Sequence, residues 1–340
     1  NISNLMVIIK LSIIVLVILV GIFYIDIDNW TPINDEGNES FFPNGFKGVM
    51  AGVASVFFAY IGFDAVSTMA EESKNPQRDL PRGMIYSLVI CTIVYIIISL
   101  VLTGMAHYKS LAVGDPLAEV FNQKNVGWME ALISVSAVAA MTSVILVFQM
   151  GQPRIWMSMS RDGLLPKKFE KIHPKYKTPS FATIVTGLVV GIPILFTDET
   201  FVLDFTSIAT LFAFVLVCGG ILLIPRREKE AGKFHLPYIN AKFIYPGVML
   251  TVIAILLIAA PDYFKGLFDI DLNAEDATYN ISTLIFWGLC FVLSFFAYKN
   301  AWSLIPLLGV TTCSYLLTGM TAKNWLWFFI WFGLGLVVYL

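Results

Sequence analysis

Long apolar stretches, each close to the length that crosses a bilayer, recur from one end of this chain to the other. About 20 consecutive apolar residues make a transmembrane helix, and the polar stretches between these runs are too short for a soluble domain. The pattern predicts an all-α polytopic membrane protein, with residues 1–340 in a single membrane domain. The predicted spans are 5–25, 49–69, 84–105, 128–152, 180–196, 202–224, 243–260, 281–298, 302–318 and 324–340.

The composition supports this class. Hydrophobic residues make up 57% of the chain and charged residues only 14%, which lies outside the range of ordinary soluble domains. All four cysteines fall inside predicted spans, where a thiol acts as a small apolar group and not as part of a disulfide framework. We therefore expect a lipid bilayer as the main partner, and no interaction with nucleic acid.

The basic residues predict an orientation. Loops on one side of the predicted spans hold sixteen of the 22 Lys and Arg residues, and loops on the other side hold five. Because basic residues accumulate in cytoplasmic loops, residue 1 is predicted at the cytoplasmic face of the plasma membrane. The acid-rich segments 26–48 and 261–280 are then predicted to lie outside.

One loop has an amphipathic pattern of its own. In residues 109–127, apolar residues such as Leu117, Val120 and Phe121 are interspersed with polar ones. This spacing predicts a short helix that lies across the outer face of the protein. A plain loop is the alternative that such a short pattern leaves open.

The second predicted span is interrupted by flexible and polar residues. Gly62 and Asp64 lie in its middle, and a charged segment with two prolines follows at residues 71–81. Glycine weakens a helix interior, and a carboxylate at membrane depth needs a donor or a water-filled cavity. The pattern predicts two half-helices with a break at 60–62, followed by a cytoplasmic hinge. Asp64 either caps the second half-helix or belongs to a solute or ion site, and the sequence leaves both open.

Three further polar residues lie within predicted spans. The ammonium of Lys10 either reaches the lipid headgroups or faces the bundle interior, where it could gain and lose a proton. Thr142 and Ser143 are adjacent hydroxyls, and such hydroxyls usually donate to the carbonyl four residues earlier. That habit favours a local role for each of them, unless they share a cavity.

Motifs for catalysis or metal binding are scarce. The three histidines, at 107, 173 and 235, are far apart in sequence, and no cysteine near them completes a metal site. The chain contains neither an HExxH sequence nor a GxSxG elbow. We therefore expect no enzyme activity, no metal and no cofactor.

Several stretches carry a resemblance to a known family. They are FFAYIGFDAVSTMAEESKNPQRDLPRG from Phe57, GQPR from Gly151, MSRDGLLP from Met159 and HPKYKTPSFAT from His173. With them, the chain resembles the cationic amino acid transporter branch of the amino acid-polyamine-organocation superfamily, and in particular its bacterial amino acid permeases. The resemblance extends over essentially all 340 residues.

The resemblance implies the leucine-transporter fold, in which two inverted five-helix repeats each begin with a broken helix and the substrate lies between the breaks. Residues 1–44 then hold the fifth helix and an outer loop, residues 45–224 the complete second repeat, and residues 225–340 four accessory helices. The family's first four helices have no counterpart here. We therefore expect a fragment that carries half of the substrate site.

The resemblance also implies substrate-binding residues. The first half-helix of the second span ends near Phe58, so the carbonyls of Phe58, Ala59 and Ile61 are expected to lose their helical partners and to accept from a substrate ammonium. Gly62 supports this break. Phe148 matches a position that faces the substrate side chain and is often smaller in the family, which favours a small neutral amino acid.

A coupling group is implied as well. Lys10 matches a fifth-helix lysine that lies where sodium-dependent relatives bind their ion, and Thr142 and Ser143 match hydroxyls beside that place. The three residues are expected to couple proton movement to transport, with the proton as the coupling ion. Pro153 stands where the family usually has Thr or Ser, and is expected to end or kink its helix.

Together these features predict a secondary active transporter that moves L-amino acids with protons by alternating access. A non-transporting amino acid sensor, or an assembly subunit with the same fold, is the alternative. The sequence indicates neither the preferred amino acid nor an oligomeric state.

Overall fold

The fold is all-helical wherever the structure describes it. The computed structural model describes residues 2–33, 39–43, 48–49, 52–53, 56–63, 66, 73–224, 237–259, 261, 263–268 and 277–339. These residues form α-helices and short 3-10 helices joined by turns, with no β-strand among them. This architecture confirms the predicted all-α class.

The helices fall into two compact units. The first unit comprises residues 1–50 and 62–192, and the second comprises residues 51–61 and 193–340. In the first unit the α-helices are α1 (Ile2–Gly21), α2 (Pro76–Met105), α3 (Pro116–Gln123), α4 (Gly127–Arg161) and α5 (Ser180–Ile194). In the second unit they are α6 (Glu199–Leu223), α7 (Ala241–Ala259), α8 (Tyr263–Phe268), α9 (Ala277–Asn300), α10 (Leu304–Thr318) and α11 (Ala322–Tyr339).

Among the described residues, six helices are long and apolar enough to cross a bilayer. They are α1 with its 3-10 extension, α2, α4, α6, α7 and α9. The helices α10 and α11 are bent by 120° at a short break, and would make a seventh span if counted as one. By length and composition, six or seven of the ten predicted spans are therefore found among the described residues. Helix α5 has only 15 residues, and the span 49–69 lies partly outside the described residues. The last two predicted spans correspond to the bent pair α10 and α11. The polytopic membrane class is confirmed.

The core of the first unit forms where the short helix α3 packs against α2 and α4. Met105, Phe121 and Met129, one from each of these helices, are almost completely buried together. Asp115 fixes the start of α3, because its carboxylate accepts from the Ala118 N–H at 3.2 Å. A short helix is therefore confirmed within the predicted segment, at Pro116–Gln123, where the alternative was a plain loop. Its predicted position across the outer face remains a prediction.

The segment after α1 is tied to the end of α2. The Asp26 N–H and the Asn29 side-chain amide both donate to the Gly104 carbonyl, at 2.9 and 2.8 Å. The Trp30 indole N–H donates to the Leu100 carbonyl at 3.0 Å. The Gly104 carbonyl lies in the last turn of α2, where carbonyls lack partners within the helix, so the two bonds that it accepts satisfy this helix end. Together with the Trp30 bond they order the chain that follows α1.

Gly21, the last residue of α1, lies so close to α2 that a side chain would not fit. A Cβ built there would overlap Val101 Cγ1 and lie 3.0 Å from Met105 Sδ, and the β-branched valine has little rotamer freedom in a helix. We expect Gly21→Ala to lower the free energy of unfolding by about 1–3 kcal/mol, measured by denaturation in mixed detergent micelles. Gly83→Ala in α2 is the matched control, because a Cβ there meets no atom within 4 Å. Equal stability of the two variants would contradict this close packing.

The second unit is built around α6 and α10. Ile208 and Leu211 of α6 pack with Leu317 of α10 and Phe328 of α11 in one buried cluster. The 3-10 helix Phe57–Tyr60 joins this unit through its first residue, which packs against α6. The chain was predicted to divide at residues 44 and 224 because an inverted repeat was expected between them. The two compact units do not test that repeat, so both divisions remain predictions.

The predicted hinge at 71–81 is partly wrong. Helix α2 already begins at Pro76 and contains Pro81, so residues 76–81 are helical. Proline is compatible with the first helical position because the N–H that it lacks would have no partner there. Residues 71–72 lie outside the described residues.

Pro153 was predicted to end or kink its helix, and the predicted end is wrong, whereas a kink remains a prediction. The helix continues through this proline to Arg161. Proline removes only one backbone hydrogen bond, and the bonds of the neighbouring turns remain. One turn earlier, the Gln149 side-chain amide donates to the Thr183 carbonyl of α5 at 3.1 Å, which joins the two helices beside the proline.

Candidate substrate and coupling site

The predicted break in the second span is present. A 3-10 helix runs from Phe57 to Tyr60, and Ile61 then adopts an extended conformation with φ −61° and ψ 134°. Gly62 follows with φ +119°, a backbone conformation that side chains other than hydrogen strongly disfavour. The glycine thus sets the position at which the helix is interrupted. Asp64, predicted as a cap or a site residue, lies outside the described residues.

The Phe58 carbonyl, which was predicted to face a substrate, accepts a hydrogen bond within the chain. The Ile61 N–H donates to the Phe58 carbonyl at 3.0 Å, which closes the last 3-10 turn. A carbonyl oxygen has two lone pairs and can accept a second bond, so this contact does not prevent the carbonyl from binding an ammonium. The substrate roles of Phe58, Ala59 and Ile61 remain predictions.

Within the first unit, the break is adjacent to a predicted substrate residue. A Cβ built at Gly62 would lie 3.7 Å from Phe148 Cζ on α4, so the ring tip reaches the backbone of the glycine. Phe148 is 45% exposed within this chain. A partly exposed aromatic ring therefore lies beside the non-helical backbone of Gly62.

Lys10 and Ser143 come together across the interface of α1 and α4. The Lys10 ammonium donates to the Ser143 hydroxyl at 3.4 Å, although the residues are 133 positions apart in sequence. This distance is at the long end of the hydrogen-bond range. Lys10 is half-buried, and Ser143 is only 6% exposed. This contact is compatible with a lysine that faces the bundle interior, and both alternatives for Lys10 remain predictions.

Thr142 does not join this contact. It is exposed, and its hydroxyl donates to the Val138 carbonyl at 2.8 Å, the local bond that hydroxyls in membrane helices usually make. Adjacent helical residues point about 100° apart, so only one of the two hydroxyls can face α1. The proposed coupling roles of Lys10, Thr142 and Ser143 remain predictions.

The structure contains a polar pair that sequence reasoning did not identify. Asn324 of α11 is 3% exposed, and its side-chain amide donates to the Asp204 carboxylate of α6 at 2.9 Å. The available signal was Asp204 itself, a carboxylate inside the predicted span 202–224. Nothing local in the sequence indicates its distant partner.

Removing this carboxylate should destabilise the second unit. Asp204→Ala leaves the buried Asn324 amide without its acceptor, and we expect a loss of about 1–3 kcal/mol in the free energy of unfolding. Asp198→Ala is a matched control, because Asp198 is exposed at the start of α6 and makes no capping hydrogen bond. Its loss should stay within about 0.5 kcal/mol. A denaturation experiment that gives the same value for both variants would contradict a stabilising role for the pair.

The two histidines that the structure describes serve local turns. The Nδ1 atom of His107 accepts from the Lys109 N–H, and that of His173 accepts from the Lys175 and Tyr176 N–H groups. Within the described part of the chain, no group of three His, Cys, Asp or Glu side chains is placed to hold a metal ion.

Comparison with known proteins agrees with these features. A sequence profile of the amino acid permease family matches residues 1–264. The chain belongs to this family. Membership confirms the resemblance to the transporter branch and the polytopic helical fold that the resemblance implied.

Individual relatives of this family member span bacteria and plants. It is 42% identical over 240 residues to the methylthioribose transporter of Bacillus subtilis, covering 70% of this chain and 50% of that protein. The branched-chain amino acid permease BcaP of the same organism is 40% identical over 233 residues, covering 68% of this chain and 48% of the permease. Cationic amino acid transporter 1 of Arabidopsis thaliana is 30% identical over 342 residues, covering 98% and 54% of the two chains. The chain thus spans about half the length of these relatives.

Proposed function

We propose that this permease-family chain is part of a secondary active transporter that moves an amino acid together with a proton by alternating access. The observation that carries the proposal is the Lys10 ammonium held against the buried Ser143 hydroxyl. An ionisable group inside a helical bundle is costly to maintain, and in transporters such groups commonly serve ion or proton pathways. The relatives are named as permeases and transporters, which also favours transport over enzyme activity.

The substrate ammonium is proposed to bind the broken second span. Backbone carbonyls at an interrupted helix present the negative end of the peptide dipole, and Phe58, Ala59 and Ile61 surround the interruption. Binding through backbone oxygens explains why these side chains can be apolar.

The substrate side chain is proposed to be small and neutral. The tip of the Phe148 ring lies beside Gly62 at the break, and we propose that this ring leaves too little room for a long cationic side chain. BcaP, a branched-chain amino acid permease by name, is among the relatives and agrees with this proposal. The plasma membrane is the proposed location, in keeping with the bacterial relatives.

A second candidate substrate follows from another relative. The methylthioribose transporter of Bacillus subtilis is 42% identical to the chain over 240 residues. Methylthioribose has no ammonium group, so the carbonyls of the broken span would not distinguish it from other neutral solutes. Its transport is therefore an outcome that the experiment below must test.

Transport is tested with the intact protein reconstituted in liposomes under an imposed pH gradient. We expect accumulation of a labelled small neutral L-amino acid, weaker accumulation of arginine and lysine, and loss of accumulation when a protonophore collapses the gradient. Binding of the amino acid without accumulation would favour the sensor or assembly subunit instead. Accumulation of methylthioribose alone would overturn the amino acid proposal.

A further inference from the structure

A cavity of about 160 Å³ lies between α7 and α9 in the second unit. Its α7 wall consists of Pro246, Met249, Leu250 and Ile253, which are spaced i, i+3, i+4 and i+7 and so form one stripe along the helix. Seven residues of α-helix rise about 10 Å. The cavity is therefore a groove that follows the helix pair.

The α9 wall has the same spacing. It consists of Trp287, Cys290, Phe291 and Ser294, of which Ser294 carries the only hydroxyl. That hydroxyl donates to the Cys290 carbonyl at 2.8 Å, so its hydrogen is used inside the helix. Phe291 is 60% exposed, and Leu250 on the opposite wall is 65% exposed. On a membrane helix such side chains face lipid, so the groove opens sideways into the bilayer.

One end of the groove is basic. Lys242 lies one helical turn before Pro246 on the same stripe of α7. Its ammonium is 5.5 Å from the Phe243 ring centroid and 5.1 Å from that of Tyr298, so it reaches across to α9. Lys299 follows Tyr298 in the last turn of α9 and is exposed. It points about 100° away from Tyr298 around the helix, so it adds a second positive charge at this end of the helix pair without lining the groove. No carboxylate among the described residues pairs with either lysine.

We propose that the groove binds one acyl chain of an anionic glycerophospholipid and that Lys242 and Lys299 hold its phosphate. An apolar groove open to the bilayer fits a hydrocarbon chain. Both lysines lie at the ends of their helices, Lys242 in the first turn of α7 and Lys299 in the last turn of α9. The distribution of basic residues predicts a cytoplasmic position for both, which places their ammonium groups at headgroup depth in this proposal. Basic pockets between transmembrane helices on this side bind anionic headgroups. A zwitterionic lipid offers the same chain, but its own cation offsets the phosphate charge.

The test counts lipids bound to the intact protein. Protein purified in detergent is incubated with phosphatidylglycerol or with phosphatidylcholine, and native mass spectrometry measures the bound fraction. We expect preferential retention of phosphatidylglycerol. Lys242→Gln should weaken that retention about fivefold, and Lys242→Gln with Lys299→Gln about 25-fold, in line with the contribution of single basic residues to anionic lipid binding.

Two further variants separate the headgroup from the chain. Lys323→Gln is the matched control, because the Lys323 ammonium also lies over a ring, 5.7 Å from the Phe201 centroid, but belongs to α11, which forms no wall of the groove. We expect it to bind phosphatidylglycerol normally. Ser294→Phe fills the groove and should reduce the binding of both lipids, with an unchanged unfolding temperature showing that the fold is intact.

Three results would overturn the proposal. The first is equal retention of phosphatidylglycerol and phosphatidylcholine by the unaltered protein. The second is an equal loss in Lys242→Gln and Lys323→Gln. The third is complete displacement of phosphatidylglycerol by inorganic phosphate with no effect of Ser294→Phe, which would identify a phosphate site without an acyl chain.

Discussion

Replacing Lys10 with alanine is expected to abolish proton-driven uptake by the intact protein. The substitution removes the ammonium that contacts the buried Ser143 hydroxyl, and with it the group proposed to carry the proton. Accumulation of a labelled amino acid in liposomes under a pH gradient should fall to the level of protein-free vesicles. Equilibrium binding of the same amino acid should stay measurable, because the carbonyls proposed to bind the substrate lie on another segment.

The adjacent hydroxyls supply the matched controls for this experiment. Ser143→Ala removes the partner of the ammonium and should alter the pH dependence of uptake. Thr142→Ala removes a hydroxyl that donates only to its own helix and should leave the pH dependence unchanged. Uptake by the Lys10 variant with unaltered proton dependence would remove this lysine from the mechanism and would favour a lysine that reaches the headgroups.

Replacing Gly62 with alanine is expected to impair uptake and substrate binding together. Gly62 has φ +119°, and a residue with a Cβ pays on the order of 1–3 kcal/mol to hold such a conformation. The added methyl group itself would fit, since its nearest atom, Phe148 Cζ, is at 3.7 Å. The expected effect is therefore conformational, and substrate affinity measured by calorimetry should fall because the broken geometry is less populated.

Gly191→Ala is the control for this change. Gly191 lies inside helix α5, and a Cβ there meets no atom within 4 Å. Alanine stabilises a helix interior by about 0.5–1 kcal/mol relative to glycine, so this variant should be at least as stable as the unaltered protein. Normal substrate affinity in Gly62→Ala would mean that the left-handed conformation at the break does not contribute to the site.

Local features of the membrane spans could be predicted from single stretches of sequence. The break at Gly62 follows from a glycine in an apolar run, and the short helix α3 follows from its apolar spacing. The 3-10 turn that gives the Phe58 carbonyl a partner was not predictable, because a helix end can close in several local geometries of similar energy. The sequence also did not show that α4 continues past Pro153. A proline removes only one backbone hydrogen bond, and the bonds of the neighbouring turns can maintain the helix.

Pairings between distant residues could not be read from the chain. Lys10 and Ser143 were each recognised as polar residues in a span, but only the packing of α1 on α4 selects Ser143 over its neighbour Thr142. Asp204 and Asn324 are 120 positions apart, and the sequence around each residue does not indicate that the other is its hydrogen-bond partner.

The sequence by itself determined that this chain is a polytopic helical membrane protein, where its second span is interrupted, and which family it belongs to. The membrane class depends on the apolar length that a bilayer requires, and the interruption depends on the backbone preferences of a few residues. Both are local properties of the sequence. Only the tertiary structure decided which hydroxyl faces Lys10, which residue holds Asp204, and that α7 and α9 leave an open groove between them. The rotation of each helix about its axis is fixed by the sum of its contacts with its neighbours, which no single stretch of sequence contains.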